Sequence, residues 1–203
     1  MTVRTLVIST ASPALSLALF DGDRLVAHDH RVIGRGHAEA LMPAVAALMA
    51  GQATPDVVLV DIGPGSFTGI RIGIAAARAL GLAWDVLVHG LSGAALMAAQ
   101  AFAARPGLRR VGVLLDAGRG QLLFADYGAD LSGGDIETIS PEAVPPGLAL
   151  AGAGAVLLPD SHGRDIVHDG QPDAALALAL PAALRGLPPA AHYVRPPDAI
   201  LPL

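Results

Sequence analysis

Apolar and polar positions in the first half of the chain follow two different spacings, which together predict strands and helices in a defined order. Three aliphatic runs open the sequence, and we predict antiparallel strands over residues 3–9, 14–20 and 24–32. The tripeptide Asp21-Gly22-Asp23 joins the last two, because Asp-Gly readily adopts the positive φ of a tight hairpin. Later spacings predict helices over 37–50, 67–83 and 92–104, separated by strands over 56–62 and 86–89. The first half is therefore βββαβαβα.

The clearest break in the pattern is Arg105-Pro106-Gly107, near the middle of the chain. We therefore divide the chain into an amino-terminal lobe, residues 1–104, and a smaller carboxy-terminal lobe, residues 105–203. The last segment of the chain is expected to pack back on the first lobe.

Periodicity is weaker in the second half. Four strands are predicted there. Two of them form a hairpin over 110–116 and 121–127, and two short ones lie near 135–139 and 148–152, within the otherwise irregular stretch 131–172. Asp173 is predicted to cap a helix that runs to Arg185 and is interrupted by Pro181. In the first half, Pro43 predicts a kink or a late start in the helix over 37–50.

Composition excludes several kinds of chemistry. The chain has no cysteine, which excludes disulfides and thiolate metal sites, and all 13 basic residues are arginine, so neither a Schiff base nor a Walker-type phosphate loop can form. The net charge of −5 and the scattered arginines argue against a free-standing nucleic-acid binder. The longest uncharged stretches, 5–20 and 143–159, are too short and too rich in Pro, Gly or Ser to span a bilayer. We expect a cytoplasmic protein with no membrane contact.

The glycine-rich segment from Gly63 to Gly73 leads from a buried strand into a helix capped by Ser66 or Thr68. Free N–H groups and the helix dipole at such a start favour an anion, so one interpretation is a phosphate loop. Its residues would be Gly63, Gly65, Ser66, Thr68 and Gly69. The other interpretation is a tight turn whose glycines let a backbone or a partner helix approach closely. The spacing matches neither a Walker loop nor a dinucleotide fingerprint.

Two histidines have a spacing that can bind metal. His28 and His30 lie two residues apart on a predicted strand, so both imidazoles point to the same side. No third ligand is identifiable from the sequence, and we assign no metal site. We also assign no catalytic residue, because neither an H-x-x-x-H metal motif nor a G-x-S-x-G nucleophile elbow is present.

The eleven residues 63–73, GPGSFTGIRIG, resemble the signature of the TsaB (YeaZ) family of tRNA threonylcarbamoyladenosine biosynthesis proteins. Other segments of the chain agree with that family in order and spacing. They are residues 8–11, 16–19, 36–39, 41–43, 89–92, 116–120 and 192–196. The resemblance is dense over residues 3–127 and thin over 131–190.

This resemblance implies an α/β fold of the actin-like, Hsp70 and sugar-kinase ATPase superfamily, which is ribonuclease H-like, with a degenerate second half. Members of that superfamily hold Mg-ATP between two lobes. Asp116 and Gly118 keep the second phosphate hairpin, and Gly152 and Gly154 resemble the adenosine turn. Ser9 stands where most relatives have an aspartate, and a hydroxyl lacks the charge that magnesium prefers in a ligand. The resemblance therefore implies a degenerate ATPase without a resident cofactor, while weak or shared binding of ATP or ADP stays open.

The resemblance also implies a function, that of the non-catalytic partner of TsaD, the subunit that transfers the threonylcarbamoyl group to tRNA. TsaE would join a larger complex, tRNA would be reached through that complex, and the chain alone would form a homodimer. The family places these contacts on the first two helices, and the residues we assign to them are Leu41, Met42, Val45, Met49, Phe67, Ile70, Arg71, Ile74 and Arg78. The same apolar stripes can instead be ordinary core. The alternative function is a small ATPase or kinase that uses Asp116 and the glycine turn for its own turnover.

Overall fold

The computed structural model of the protein describes residues 2–160 and 163–194. Its first half contains eight elements in the predicted order. They are β1 (Arg4–Ser9), β2 (Ala14–Asp21), β3 (Arg24–Val32), α1 (His37–Leu48), β4 (Val57–Asp61), α2 (Phe67–Trp84), β5 (Leu87–Leu91) and α3 (Gly93–Ala104). The βββαβαβα prediction is thus confirmed, with element ends that differ by one or two residues.

Of the two outcomes predicted from Pro43, a kink or a late start of α1, the late start is wrong, because the helix begins at His37 and carries Pro43 in its interior. A backbone conformation and a hydrogen bond explain the early start. Gly36 has a φ of 88°, which ends the preceding turn in a conformation that suits glycine. The buried His37 ring donates from Nε2 to the Ala14 carbonyl oxygen at 3.2 Å and so anchors the first turn of α1 to β2.

The described part of the second half contains five strands and a short α-helix. They are β6 (Arg110–Gly118), β7 (Gln121–Gly128), β8 (Glu137–Ile139), β9 (Leu150–Ala151), β10 (Ile166–His168) and α4 (Ala182–Arg185). The sequence analysis did not predict β10. Asp173 does act as a cap, accepting a hydrogen bond of 2.9 Å from the Ala175 N–H, and the break predicted at Pro181 is present, but the segment before it is not α-helical. A 3₁₀ segment, Ala174–Ala179, ends before Pro181, and only α4 follows.

The ten strands form two five-stranded sheets with the same topology. In the first sheet the order is β3-β2-β1-β4-β5, and in the second it is β8-β7-β6-β9-β10. In each sheet the first three strands are antiparallel neighbours, and the fourth and fifth are parallel to the first. The second half therefore repeats the plan of the first, but β8, β9 and β10 are shorter than β3, β4 and β5, which agrees with the expected degenerate second half.

Alternation along β1 assigns the two faces of the first sheet. Leu6 and Ile8 pack beneath α1 and α2, whereas Val7, one position away, belongs to the core built around α3. That second core includes residues of both sheets, so α3 lies between the two halves and is buried along most of its length. The first sheet is consequently covered on both faces, and α1 and α2 form the outer layer of the first half.

The chain returns to the first sheet after α4. Leu187 pairs with Gly90 through two backbone hydrogen bonds, and the His192 N–H donates to the Ile62 carbonyl oxygen at 2.9 Å. The segment 187–194 thus covers the free edge of β5 and reaches the start of the glycine turn. Arg195 and Pro196, which carry part of the family resemblance, lie outside the described residues. Within the described ranges, none of the helices combines the length and the apolar character that crossing a bilayer requires.

Candidate functional site

The glycine turn connects β4 to α2 and is held in place by a serine cap. Ser66 Oγ accepts a hydrogen bond of 3.2 Å from the Gly69 N–H, so Ser66 rather than Thr68 caps the helix. The Ser66 N–H in turn donates to the Ala11 carbonyl oxygen at 2.6 Å, in the connection between β1 and β2. The start of α2 is therefore fixed against the first hairpin of the chain.

A buried carboxylate, Asp61, lies at the end of β4 directly before this turn. Its Oδ2 accepts from Ser9 Oγ at 2.7 Å and its Oδ1 accepts from the Gly63 N–H at 2.8 Å. Burial raises the pKa of Asp61 to about 6, although these hydrogen bonds work in the opposite direction. The sequence analysis did not select Asp61. The signal available was an acidic residue at the end of an otherwise aliphatic strand, which needs a partner once buried.

The glycines of the turn face the protein's own backbone. A Cβ added at Gly65 would overlap the Ala11 carbonyl oxygen, and one added at Gly69 would overlap the Thr10 carbonyl oxygen. The Thr10 side chain also donates from Oγ1 to the Gly69 carbonyl oxygen at 2.8 Å. Close packing of α2 on the β1–β2 connection therefore explains why these positions need glycine. This packing corresponds to the second of the two interpretations drawn from the sequence.

The residues that resemble the second half of a nucleotide cleft also contact other parts of this chain. Asp116 Oδ1 accepts from the Gly118 N–H at 2.7 Å, at the exposed tip of the β6–β7 hairpin. Gly152 and Gly154 lie against the backbone of Leu114 in β6, where a side chain at either position would collide with that strand. Both glycines are thus required by strand packing, and nucleotide binding at these positions stays a prediction. Thr68 is exposed on the first turn of α2.

The helix residues assigned to a partner contact divide into two groups. Four of them, Leu41, Val45, Ile70 and Ile74, are buried in the core beneath α1 and α2, so their assignment to an interface is wrong. The physical reason is that these positions face the first sheet. Met42 and Phe67 are 46% and 37% exposed, Arg71 and Arg78 are exposed, and Met49 is partly buried.

The exposed arginines of α2 are engaged by the returning segment. The Arg71 guanidinium lies 3.6 Å from the centre of the Phe67 ring, and its Nε donates to the Tyr193 hydroxyl at 2.8 Å. Phe67 and Tyr193 pack with their ring centres 5.0 Å apart. Arg78 Nη2 donates to the Pro189 carbonyl oxygen at 2.9 Å. The segment therefore runs along the exposed side of α2 and forms one surface with it.

Solved structures share this architecture. YeaZ from Pseudomonas aeruginosa superposes with a TM-score of 0.74 and 28% identity, covering 88% of this chain and 90% of that one. A second solved structure, of an uncharacterized protein with similarity to peptidase YeaZ from P. aeruginosa, gives a TM-score of 0.79 at 27% identity, covering 95% of this chain and all of the other. With the repeated sheet order, these similarities confirm the expected actin-like α/β fold.

Sequence comparisons point to the same family. The family model for TsaD, tRNA N6-adenosine threonylcarbamoyltransferase, matches residues 31–146. An uncharacterized protein of Mycobacterium bovis is 34% identical over 206 residues, covering 96% of this chain and 92% of its own length. The tRNA threonylcarbamoyladenosine biosynthesis protein TsaB of Escherichia coli is 35% identical over 138 residues, and the match covers 64% of this chain and 58% of that protein. These similarities and the fold agree: the chain belongs to the TsaB (YeaZ) family.

Proposed function

We propose that this protein is the non-catalytic partner subunit of a TsaD-type threonylcarbamoyltransferase and acts in the synthesis of threonylcarbamoyladenosine in tRNA. Family membership supports the pathway, because the TsaB proteins of E. coli and Bacillus subtilis are both named for the biosynthesis of this modified nucleoside. The proposed place of work is the cytoplasm, where tRNA is modified. TsaE joins the larger complex, and tRNA is reached through TsaD.

One observation carries the non-catalytic part of the proposal. Ser9, where the family resemblance implies an aspartate, is fully buried and donates its hydroxyl to Asp61. The first hairpin therefore presents no carboxylate to a metal-bound phosphate, which phosphoryl transfer needs for charge compensation. The chain also has no lysine that could take over this role.

The surface proposed to contact TsaD is the outer side of α1 and α2. Met42 is the most exposed methionine of the predicted contact residues, and Phe67 adds an exposed ring at the start of α2. Methionine suits a contact that serves more than one partner, because its flexible side chain repacks easily. We propose that the same surface forms the homodimer when TsaD is absent.

The test is co-purification with the TsaD of the same organism, using substitutions chosen by burial. Met42→Glu places a charge on the proposed contact and should abolish co-purification with an unchanged thermal melt. Val156→Glu is the matched control, because Val156 is an exposed aliphatic residue, 81% accessible, in the second half. It should co-purify normally. Ile74→Glu should lower the melting temperature instead, since it buries a charge.

A transfer assay then tests the function itself. Threonylcarbamoyl transfer to tRNA by TsaD should need this chain and should fall with Met42→Glu but not with Val156→Glu. Two results would overturn the proposal: transfer that proceeds undiminished without the chain, or turnover of ATP by the purified chain alone that Asp116→Ala abolishes. The second result would establish the alternative, a small ATPase.

A further inference from the structure

Two histidines and an aspartate from distant parts of the chain meet at the outer edge of the first sheet. His28 and His30 lie on the edge strand β3 and point to the same side, with ring centres 6.2 Å apart and ring planes inclined by 25°. His28 Nε2 lies 2.7 Å from Asp173 Oδ1, and His30 Nδ1 lies 3.9 Å from the same oxygen. The third ligand that the sequence could not supply is therefore present, 143 residues beyond His30.

The aspartate is held in position by groups other than the histidines. The Ala175 N–H donates to Asp173 Oδ1 at 2.9 Å, and the Asp173 N–H donates to Gln100 Oε1, also at 2.9 Å. Ser16 Oγ lies 3.0 Å from His30 Nδ1 and 3.2 Å from Asp173 Oδ1, and it accepts from the Ala174 N–H. The cluster is thus organised before any ligand binds.

We propose that His28 Nε2, His30 Nδ1 and Asp173 Oδ1 bind a divalent transition-metal ion of the zinc type. Two imidazole nitrogens and one carboxylate oxygen are donors that zinc accepts, with a water molecule completing four-coordination. Metal–ligand bonds of about 2.0–2.2 Å in a tetrahedron place neighbouring donors about 3.4 Å apart. The separations of 2.7 and 3.9 Å fall on either side of that value, and all three donor atoms lie within 4.8 Å of one another, so side-chain rotations bring the donors into place.

Metal binding would link β3, at the edge of the first sheet, to the segment that follows Asp173. Asp173 begins the 3₁₀ segment Ala174–Ala179, whose Ala174 and Ala177 are buried in the core around α3. A metal ion would fasten this segment to β3, which is the edge strand of the first sheet among the described residues. Since the unfolded chain does not bring the three ligands together, binding stabilises the folded state. The ion's role is structural, and the proposal is independent of the function proposed above.

The experiment uses the full chain without a histidine tag, and Co²⁺ as a spectroscopic probe. We expect one equivalent of Co²⁺ to bind, with the intense visible absorption of a four-coordinate site, and Zn²⁺ to displace it and raise the melting temperature. His30→Gln and Asp173→Asn should each weaken Co²⁺ binding at least about tenfold. Asp173→Asn keeps a side-chain oxygen for the cap, so its metal-free melt shows that the fold is retained.

His89→Gln is the matched control, because His89 lies on β5, at the opposite edge of the same sheet. It should bind Co²⁺ like the unmodified chain. The proposal is overturned if the unmodified chain shows neither the absorption bands nor a zinc-dependent shift of the melt. Equal binding by His30→Gln and the unmodified chain would also overturn it, since the ion would then lie elsewhere.

Discussion

Ser9 and Asp61 join the ends of two neighbouring parallel strands through a hydrogen bond of 2.7 Å between Ser9 Oγ and Asp61 Oδ2. Both residues are fully or almost fully buried. The side chain at the end of β1 is thus engaged in a contact inside the first lobe. Three features depend on this arrangement: the ionisation of Asp61, the tolerance of position 9 to charge, and the geometry of the glycine turn that follows Asp61.

The first prediction concerns the pH dependence of stability. The pKa of Asp61 is raised from 3.8 to about 6 by burial, so the folded state binds this proton more tightly than the unfolded chain. The contribution of Asp61 to stability is therefore greatest below about pH 4 and declines as the pH rises through 6. A shift of about two pKa units corresponds to about 3 kcal/mol.

Urea unfolding of the unmodified chain and of Asp61→Asn, from pH 4 to pH 7.5, measures this contribution. The free energy of unfolding of the unmodified chain, relative to Asp61→Asn, should decrease over this range by about 2–3 kcal/mol. The comparison is needed because other carboxylates act in the opposite direction; for example, the Arg105 side chain hydrogen-bonds Asp165 and lowers its pKa. A constant difference would show that Asp61 is ionised as readily in the fold as in the unfolded chain.

The second prediction concerns Ser9→Asp, which places a second carboxylate beside Asp61. Two carboxylates in hydrogen-bond reach of each other in a buried site cannot both ionise without a large cost. Ser9→Asp should therefore be less stable than Ser9→Asn at pH 8, by at least about 2 kcal/mol. The control has nearly the same size and no charge, and the two variants should converge as the pH falls towards 5. Equal stability at pH 8 would mean that this pocket tolerates a second charge.

Sequence reasoning predicted the first half of the fold well because each element there is long enough to show its period. β1, β2 and α2 contain six, eight and eighteen residues, and the turn residues between elements are unambiguous. By contrast, β9 and β10 contain only two and three residues. Strands this short carry no period, and they are fixed by pairing with segments that are not adjacent in sequence: β9 pairs with β6, and β10 pairs with β9.

The same limit applied to the candidate sites. The spacing of Leu41, Val45 and Leu48, flanked by Met42, predicts an amphipathic helix, but it does not say which side the first sheet covers. The structure covers Leu41 and Val45 and leaves Met42 exposed. Asp173 joins His28 only through the packing of a 3₁₀ segment, and no local pattern connects residues 145 positions apart. Such contacts follow from the tertiary fold and lie beyond what spacing can predict.

The third prediction concerns Gly69, a helical glycine whose replacement by alanine should lower the stability of the protein rather than raise it. Gly69 lies in the first turn of α2, where helix propensity alone makes alanine more stable by about 1 kcal/mol. A Cβ at this position overlaps the Thr10 carbonyl oxygen, so Gly69→Ala should destabilise the protein by about 1–3 kcal/mol. Ala75→Gly, at an exposed position of the same helix, calibrates the propensity effect and should cost about 1 kcal/mol. A stabilised Gly69→Ala variant would contradict the close packing of α2 on the first hairpin.

The last prediction concerns the segment that returns to β5. Gly90 exchanges two backbone hydrogen bonds with Leu187, and a Cβ at Gly90 would lie 2.7 Å from the Pro188 carbonyl oxygen and 2.7 Å from Ile62 Cγ2. Gly90→Ala should therefore push the segment away from the edge of β5. The segment is held by few contacts, so weakening its contact with Gly90 should make its local opening more frequent. The increase is about tenfold for each 1.4 kcal/mol by which the free energy of opening is lowered.

Limited proteolysis with trypsin measures this opening, since the chain lacks lysine and Arg185 is the last arginine before the segment. The Arg185 backbone lies in α4, and the Arg185 Nε donates to the Leu180 carbonyl oxygen. Cleavage after Arg185 therefore requires α4 and the segment to open together. Gly90→Ala should release the carboxy-terminal peptide faster than the unmodified chain does. Val88→Ala is the control: it removes apolar contacts from the same strand without pushing on the segment. Equal acceleration in both variants would attribute the effect to general loss of stability, and the edge contact would then have no separate role.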